Sequence, residues 1–394
     1  MKRNLILIGI AMFAWGVGEG LFIYFQPIYL EQLGADPIMI GTILGGFGLA
    51  MTISHIPAGY LADRIGRKPL MVAAWATGTI AAWVMALAPS LSVFVTGLFI
   101  YGMTLFVMSP LQSYLTAARG NLSVGRVITL ISASFNLGAV IGPVLGGWIG
   151  DQFGLQQAYV VAGVIFILSL IVISFISPQP VERIASDEGK NRWLYSPRYL
   201  AYLGVIFLSI FAMILPQVLT PNYLSNQGGY DLSQIGILFS VSSIGVVLLN
   251  LVLGSMPALT GYLLGQAAVV VFTLILWRTS GLGWYLIGFF MLGGYKTARN
   301  LGMAQVRELV PSAKMGLAYG LAETVGASAV VLAPIAAGFL YTRNPVLMYI
   351  IGFGLMTLSM IASAQFSPKP GEFDESTSDD TLNSQVDLPG EPER

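Results

Sequence analysis

Long apolar runs follow one another along almost the whole chain, with only short polar segments between them. A run of about 20 residues crosses the hydrocarbon core of a bilayer as a helix, and helices pair all of their own backbone groups there. Of the 394 residues, 55% are hydrophobic and only 10% are charged, against about 25% charged in soluble domains. We therefore predict an all-α membrane protein with twelve transmembrane helices. The predicted spans are residues 5–30, 38–61, 70–88, 91–117, 127–150, 157–177, 199–225, 233–254, 258–277, 282–308, 315–340 and 345–366.

The composition excludes several classes of function. The formal net charge is zero, so no basic face favours a nucleic-acid partner. The chain has no cysteine and one histidine, and we predict neither a metal site nor a cofactor. No loop of the G-x-x-x-x-G-K-[ST] type occurs, so ATP-driven pumping is not expected. We predict that the protein is not an enzyme and that no residue is catalytic.

The distribution of basic residues predicts the orientation in the membrane. If the N-terminus lies inside, only Arg278 and Arg343 of the 19 Lys and Arg residues fall in outer segments. Basic residues accumulate on the cytoplasmic side of membrane proteins. This bias favours an even number of spans and two cytoplasmic termini, in a plasma membrane or bacterial inner membrane.

Two halves of the chain resemble each other. "QPIYLEQLG" at 26–34 aligns with "TPNYLSNQG" at 220–228, and "IGPVLGG" at 141–147 aligns with "LAPIAAG" at 332–338. We predict two pseudo-symmetric six-helix bundles, residues 1–178 and 199–366, joined by a cytoplasmic linker at 179–198. Residues 367–394 are predicted to be a disordered acidic tail. Repeats of this kind are typical of transporters that bind substrate near the midplane between their halves.

The segment "GYLADRIGRK" at 59–68 concentrates charge between spans 2 and 3. It resembles the loop signature G-x-L-A-D-R-x-G-R-K of the major facilitator superfamily, and the resemblance covers residues 1–366. The resemblance implies that this segment is a gating loop whose contacts form and break as the two halves move relative to each other. The alternative is a topology signal, for which the acid at position 63 would not be needed. The predicted gating residues are Gly59, Asp63, Arg64, Gly66, Arg67 and Lys68.

Span 5 contains "GAVIGPVLGG" at 138–147. This segment resembles the antiporter motif of exporters in the same superfamily, which implies export. The alternative is a generic helix face for close packing. This sequence departs from the exporters at Thr96, a position in span 4 where they carry an arginine that is proposed to help proton transfer. Proton coupling through such an arginine is therefore not expected. The motif residues are Gly138, Gly142, Pro143, Gly146 and Gly147.

Ionisable side chains inside predicted spans are the candidates for function, because each is costly to insert. Glu19 lies about 21 Å from Leu5 at 1.5 Å per residue, near the middle of span 1. Burial favours the neutral form of a carboxyl group, and the glycines on either side are expected to keep Glu19 sterically open. We predict that Glu19 is the proton-coupling residue; the alternative is a neutral acid that fixes helix packing.

Lys296 and Arg299 follow an apolar run in span 10 that is too short to cross the membrane by itself. The superfamily resemblance places spans 1, 4, 7 and 10 on a central cavity, where two cations would favour an anionic substrate. Glu323 in span 11 offers the alternative of a structural ion pair with either cation. Both interpretations stay open at this point.

Other polar residues of the cavity-lining spans are candidates by helix membership alone. With the charged residues above, they complete the predicted substrate cavity. These are Tyr24, Gln26, Gln112, Gln217, Asn222 and Asn300.

Together these features predict a monomeric secondary transporter in the lipid bilayer. The predicted activity is proton-coupled export, by antiport, of a small organic molecule through alternating access. One alternative is proton-coupled uptake of an anionic metabolite. The other is a membrane sensor on the same fold that transports nothing.

Overall fold

The structure is a computed structural model that describes residues 2–179, 196–310 and 315–368, without the side chains at 2, 55–65, 109 and 315–317. All regular elements within those ranges are helices. Most of the predicted linker and tail, residues 180–195 and 369–394, lies outside the described part of the chain. The α-helices are Lys2–Gly20, Gln26–Gln32, Pro37–Ile65, Arg67–Ala86, Leu91–Met103, Met108–Ala118, Val124–Phe153, Leu155–Ser174, Pro197–Ile214, Thr220–Asn226, Leu232–Leu253, Ala258–Arg278, Leu282–Leu292, Gly294–Ala304, Met315–Arg343 and Leu347–Phe366.

The helices confirm the predicted twelve-span fold. Over the described residues, 11 helical segments are long and apolar enough to cross a membrane. Span 10 is the remaining crossing, and it is broken into Leu282–Leu292 and Gly294–Ala304. The break falls at a pair of glycines, where a Cβ on Gly293 would overlap Gly245 of span 8 and one on Gly294 would press on span 9. Glycine pairs are a recognised cause of helix kinks.

Spans 1 and 7 are interrupted at equivalent places. In span 1 the helix Lys2–Gly20 gives way to a short 3₁₀ turn and then to Gln26–Gln32. In span 7 the helix Pro197–Ile214 is followed by Thr220–Asn226. Each second helix has a proline at its first or second position, where the missing N–H costs nothing. The repeat that pairs position 27 with position 221 is therefore a structural repeat.

The halves meet through two equivalent pairs of helices. Span 2 packs on span 11, where a Cβ on Gly41 would overlap the carbonyl oxygen of Pro334. Span 5 packs on span 8, where a Cβ on Gly236 would overlap the carbonyl oxygen of Pro143. The same glycine-to-proline contact thus occurs twice, related by the internal repeat.

We call the end that holds the loops at 33–36, 227–231 and 344–346 distal, and the end where span 1 begins proximal. The distal core is shared, because one cluster of buried side chains contains residues of both halves. The two proximal clusters each belong to one half. The halves are therefore packed together distally and separate around a cavity on the proximal side. Representative members are Phe25, Tyr29, Leu219 and Phe239 of the shared cluster, Ile8 and Leu115 of the first half, and Ile206 and Val306 of the second half.

Candidate functional site

A cavity of about 600 Å³ lies between the halves. Spans 1 to 5 line it from the first half, and spans 8 and 10 line it from the second. Most of the lining is apolar and aromatic, with a small set of polar groups. The aromatic residues are Trp15, Phe47, Trp75, Tyr101 and Phe135, and the charged and amide residues are Glu19, Gln112, Asn136, Asn250, Lys296 and Asn300.

Glu19 faces this cavity at the point where the first helix of span 1 ends. Its carboxylate Oε2 accepts a hydrogen bond from the Tyr101 hydroxyl at 2.7 Å. The Trp15 ring lies one turn earlier on the same helix and stacks on Tyr101, with 6.2 Å between ring centroids. The carboxyl group is thus fixed by Tyr101 and by the Trp15 ring that stacks on it. We call Trp15 and Tyr101 the aromatic wall.

The glycines beside Glu19 have a different role from the one expected. A Cβ on Gly18 would collide with the Phe166 ring of span 6, and one on Gly20 would lie 2.9 Å from the Cα of Gly142 in span 5. Both glycines are therefore needed for close helix packing, and they do not open space around the carboxyl group. The role expected for these two glycines was therefore wrong, and Glu19 faces open space because it lines the cavity.

Lys296 is the third residue of the second helix of span 10, and its side chain lines the same cavity. Asn300, one turn further along, lines the cavity as well. Glu19 lines this cavity from the opposite half. The cavity therefore receives a carboxylate from the first half and an ammonium from the second.

Arg299 pairs with Glu323 and is not among the residues that line the cavity. Its Nη2 donates to Glu323 Oε2 at 2.8 Å, and the two side chains are 37% and 54% exposed. Arg299 also borders a small recess next to Ser209 and Tyr262, within the second half. Of the two pairings considered for Glu323, the structure contains the one with Arg299, and Lys296 remains the cation that faces the cavity.

The remaining predicted cavity residues lie elsewhere, in the distal packing between spans. Tyr24 stacks on Phe239 of span 8 with 4.3 Å between ring centroids. Gln26 is buried at 2% exposure, and Gln217 turns back to donate to the Met213 carbonyl at 2.5 Å. They sit at the helix breaks of spans 1 and 7 or directly after them, where the halves close on each other, and helix membership alone could not reveal this.

Asn222 belongs to a set of contacts that close the distal end, which we call the distal seal. It donates to the Pro27 carbonyl at 3.1 Å and to Glu31 Oε2 at 2.5 Å. Asn226 donates to Glu31 Oε1 at 2.9 Å. Asp151, at the end of span 5, accepts from the backbone N–H groups that start span 8. The distal seal comprises Glu31, Asp151, Asn222, Asn226 and the backbone at Leu232 and Ser233.

Several residues of these two sites were missed by sequence reasoning. Asn136 and Asn250 are single amides within apolar runs, a signal that could have marked them. Glu31 lies inside the "QPIYLEQLG" repeat and Asp151 follows four residues after Gly147, yet each falls one residue beyond a predicted span. Nothing in the sequence indicates that Tyr101 would hold Glu19, because the contact joins residues 82 positions apart.

The span-5 motif packs on two different neighbours. A Cβ on Gly138 or Gly146 would overlap the backbone of span 1, within the same half. A Cβ on Gly147 would overlap the Leu232 carbonyl of span 8, in the other half. Pro143 lies inside the unbroken helix Val124–Phe153. One motif therefore fixes the first half internally and also brings the halves together.

The predicted gating loop is described only in part. Gly59, Asp63 and Arg64 lie in the part of span 2 whose side chains are not described. Gly66 separates spans 2 and 3 with a φ of 93°, which favours glycine. Arg67 donates to the Gln179 side chain at 3.1 Å, and Lys68 is half-buried.

A helical membrane protein with two related halves around one central cavity has the architecture of secondary transporters. The sequence matches the Major Facilitator Superfamily over residues 6–256. The chain belongs to this superfamily.

Named relatives agree with this assignment. The chain is 29% identical over 197 residues to an uncharacterized MFS-type transporter of Methanocaldococcus jannaschii, covering 49% of each. It is 26% identical over 222 residues to the multi-drug resistance efflux pump PmrA of Streptococcus pneumoniae, covering 54% of this chain and 55% of PmrA. The aligned part of the chain thus spans about half the length of these curated relatives.

Solved structures share the fold at low sequence identity. The nucleoside transporter NupG superimposes with a TM-score of 0.73 at 14% identity, covering 93% of this chain and 99% of NupG. The human organic anion transporter MFSD10 superimposes with a TM-score of 0.67 at 16% identity, covering 92% and 99% of the two chains.

Proposed function

We propose that the protein exports a small organic molecule in exchange for protons, by alternating access. The observation that carries this proposal is the presence of Glu19 and Lys296, from opposite halves, in one cavity between the halves. A proton-accepting group that faces the substrate chamber can bind a proton and substrate in alternate states. We take the proximal side as cytoplasmic because the basic residues of the loops concentrate there. In this conformation the chamber then lies on the cytoplasmic side, while the distal seal is closed.

The coupling step follows from the charges in the cavity. When Glu19 is ionised, it attracts Lys296 from the opposite half and accepts the Tyr101 hydrogen bond. Protonation of Glu19 removes its attraction to Lys296. The stability of this arrangement of the two halves, relative to other arrangements, therefore changes when Glu19 binds a proton. A ligand shifts such an equilibrium only through its different affinity for the two states. Glu19 is the proposed proton site, and Lys296 is the group that senses its charge.

Export is the proposed direction for two reasons. The span-5 glycines match the exporter motif, and several relatives are named as multidrug resistance proteins, including PmrA and multidrug resistance protein 2 of Bacillus subtilis. Uptake of an anionic molecule is the second candidate, and the observation that favours it is the ammonium of Lys296 in the cavity. The direction in which a pH gradient drives net flux distinguishes these two candidates.

The test uses purified protein in liposomes with an entrapped pH indicator and an imposed pH gradient. A panel of amphipathic organic cations, anions and zwitterions is added, and substrate-linked proton movement is recorded. We expect wild type to couple the two fluxes, and Glu19→Gln to exchange substrate without proton movement. Asp36→Asn is the matched control, since it makes the same carboxyl-to-amide change at an exposed helix cap, where asparagine also caps well. Proton-driven accumulation that persists in Glu19→Gln, or no coupled flux with any compound, would contradict the proposal.

A further inference from the structure

The described lining of the cavity includes one negative and one positive side chain, contributed by opposite halves. Among its described lining residues, Glu19 of span 1 and Lys296 of span 10 carry the formal charges. Arg299, which would have made the cavity cationic, is paired with Glu323 at 2.8 Å instead. The chamber is therefore balanced in charge, and this balance restricts what can bind in it.

Ligands of a single charge fit this arrangement poorly. An anion that pairs with Lys296 draws it from Glu19, and a cation that pairs with Glu19 draws it from Lys296. In either case one charge is left without its partner in an apolar chamber, which is costly. A ligand that carries both charges replaces the Glu19–Lys296 attraction with two ion pairs and leaves no charge uncompensated.

The surroundings of each charge indicate how such a ligand would lie. The Glu19 carboxylate sits beside Trp15 and Tyr101, and aromatic rings attract cations as well. Asn300 is four residues after Lys296, on the same helix face, and its amide can donate to an anionic oxygen. The ammonium end of the ligand then lies against the aromatic wall, and the acidic end lies against span 10.

The remaining wall sets the size and polarity of the ligand body. Trp15 meets Trp75 edge to face, with 5.4 Å between ring centroids, and both line the cavity. A volume of about 600 Å³ is within the range of pockets that enclose drug-sized molecules. The body is therefore apolar and compact, with room for an aromatic ring system.

We propose that the central cavity selects amphipathic zwitterions, compounds with an amine, an acidic group and an apolar or aromatic body. This inference rests on the proposed transport function and adds the chemical class of its substrate. Its structural basis is that Glu19 and Lys296 bind the two ends of one molecule from opposite halves. The zwitterion thereby bridges the halves that must move relative to each other.

The test uses three probes of nearly equal shape: tryptophan as the zwitterion, tryptamine as the cation and indole-3-propionate as the anion. Binding to the purified full-length protein is measured by calorimetry. Wild type is expected to bind tryptophan at least tenfold more tightly than either singly charged probe. Lys296→Met should shift the preference to tryptamine, and Glu19→Gln should shift it to indole-3-propionate.

Two further variants make the test decisive. The double variant Arg299→Gln/Glu323→Gln removes an ion pair outside the cavity and should keep the preference for tryptophan. The exchange Glu19→Lys/Lys296→Glu keeps both charges in the cavity and should recover zwitterion binding if the single variants fold poorly. Equal binding of the three probes to wild type, or no binding of any of them, overturns the inference. Coupled flux of another compound in liposomes would still support the transport function, whereas its absence with every compound would count against that function itself.

Discussion

The carboxylate of Asp151 accepts a hydrogen bond from the backbone N–H of Ser233 at 2.8 Å, across the boundary between the two halves. It accepts a second one from the Leu232 N–H at 2.9 Å. These N–H groups belong to the first turn of span 8, where the helix dipole also favours a negative charge. One side chain at the end of span 5 thus holds the N-terminus of a helix in the other half.

Loss of the Asp151 carboxylate should favour opening of the distal end. Hydrogen bonds to charged groups contribute about 1.5–3 kcal/mol, so Asp151→Ala should shift the equilibrium toward a distally open state by roughly tenfold or more. The chain has no cysteine, so a single Ser243→Cys reporter, buried between the halves, can be labelled without background. Faster modification by an impermeant maleimide in Asp151→Ala is the expected result. Asp36→Asn is the control for the labelling rate. A labelling rate in Asp151→Ala equal to that of the control would show that Asp151 does not help to close the distal end.

Glu31 and Asn222 should act as one unit in the same seal. Asn222 donates to Glu31 from the opposite half, so either Glu31→Ala or Asn222→Ala removes this hydrogen bond between the halves. The double variant should therefore cost less than the sum of the two single variants, by about 1 kcal/mol. The same Ser243→Cys labelling rate provides the measurement. Additive effects would show that the two side chains are not coupled.

Two glycines of the span-5 motif should respond differently to the same added methyl group. Gly147→Ala would meet the Leu232 carbonyl of the other half, so it should hold the distal end open while each half stays folded. Gly138→Ala would meet the backbone of span 1 within the first half, so it should lower the melting temperature instead. Labelling and thermal melting separate the two effects. Gly125→Ala, which meets nothing within 4 Å, is the control, and identical behaviour of the two motif variants would refute this division.

The Arg299–Glu323 pair should contribute little to stability when both partners are removed together. Arg299 and Glu323 compensate each other's charge, and replacing both leaves no charge uncompensated, so the double variant Arg299→Gln/Glu323→Gln should melt close to wild type. Removing one partner leaves the other charge uncompensated, so each single variant should melt at a lower temperature than the double variant. Melting curves of the four proteins in one detergent test this order. Single variants as stable as wild type would show that the pair is not a structural contact.

The sequence alone determined the helical class, the twelve crossings and their approximate bounds, because hydrocarbon allows few ways to pair a backbone. It also identified the internal repeat, since Pro27 and Pro221 start equivalent helices after equivalent breaks. Its choice of Glu19 and Lys296 followed from the cost of placing charge in an apolar segment. Both residues line the cavity.

Only the tertiary structure decided which charges share a chamber. Lys296 and Arg299 are three residues apart on one helix, yet one faces the cavity and the other pairs with Glu323. Glu31 and Asp151 look like ordinary loop acids until the opposite half supplies their donors. Hydropathy depends on each residue and its neighbours in the chain, whereas these contacts join positions from 24 to 195 residues apart. Such pairings depend on how two bundles pack against each other, and no local pattern in the chain records that geometry.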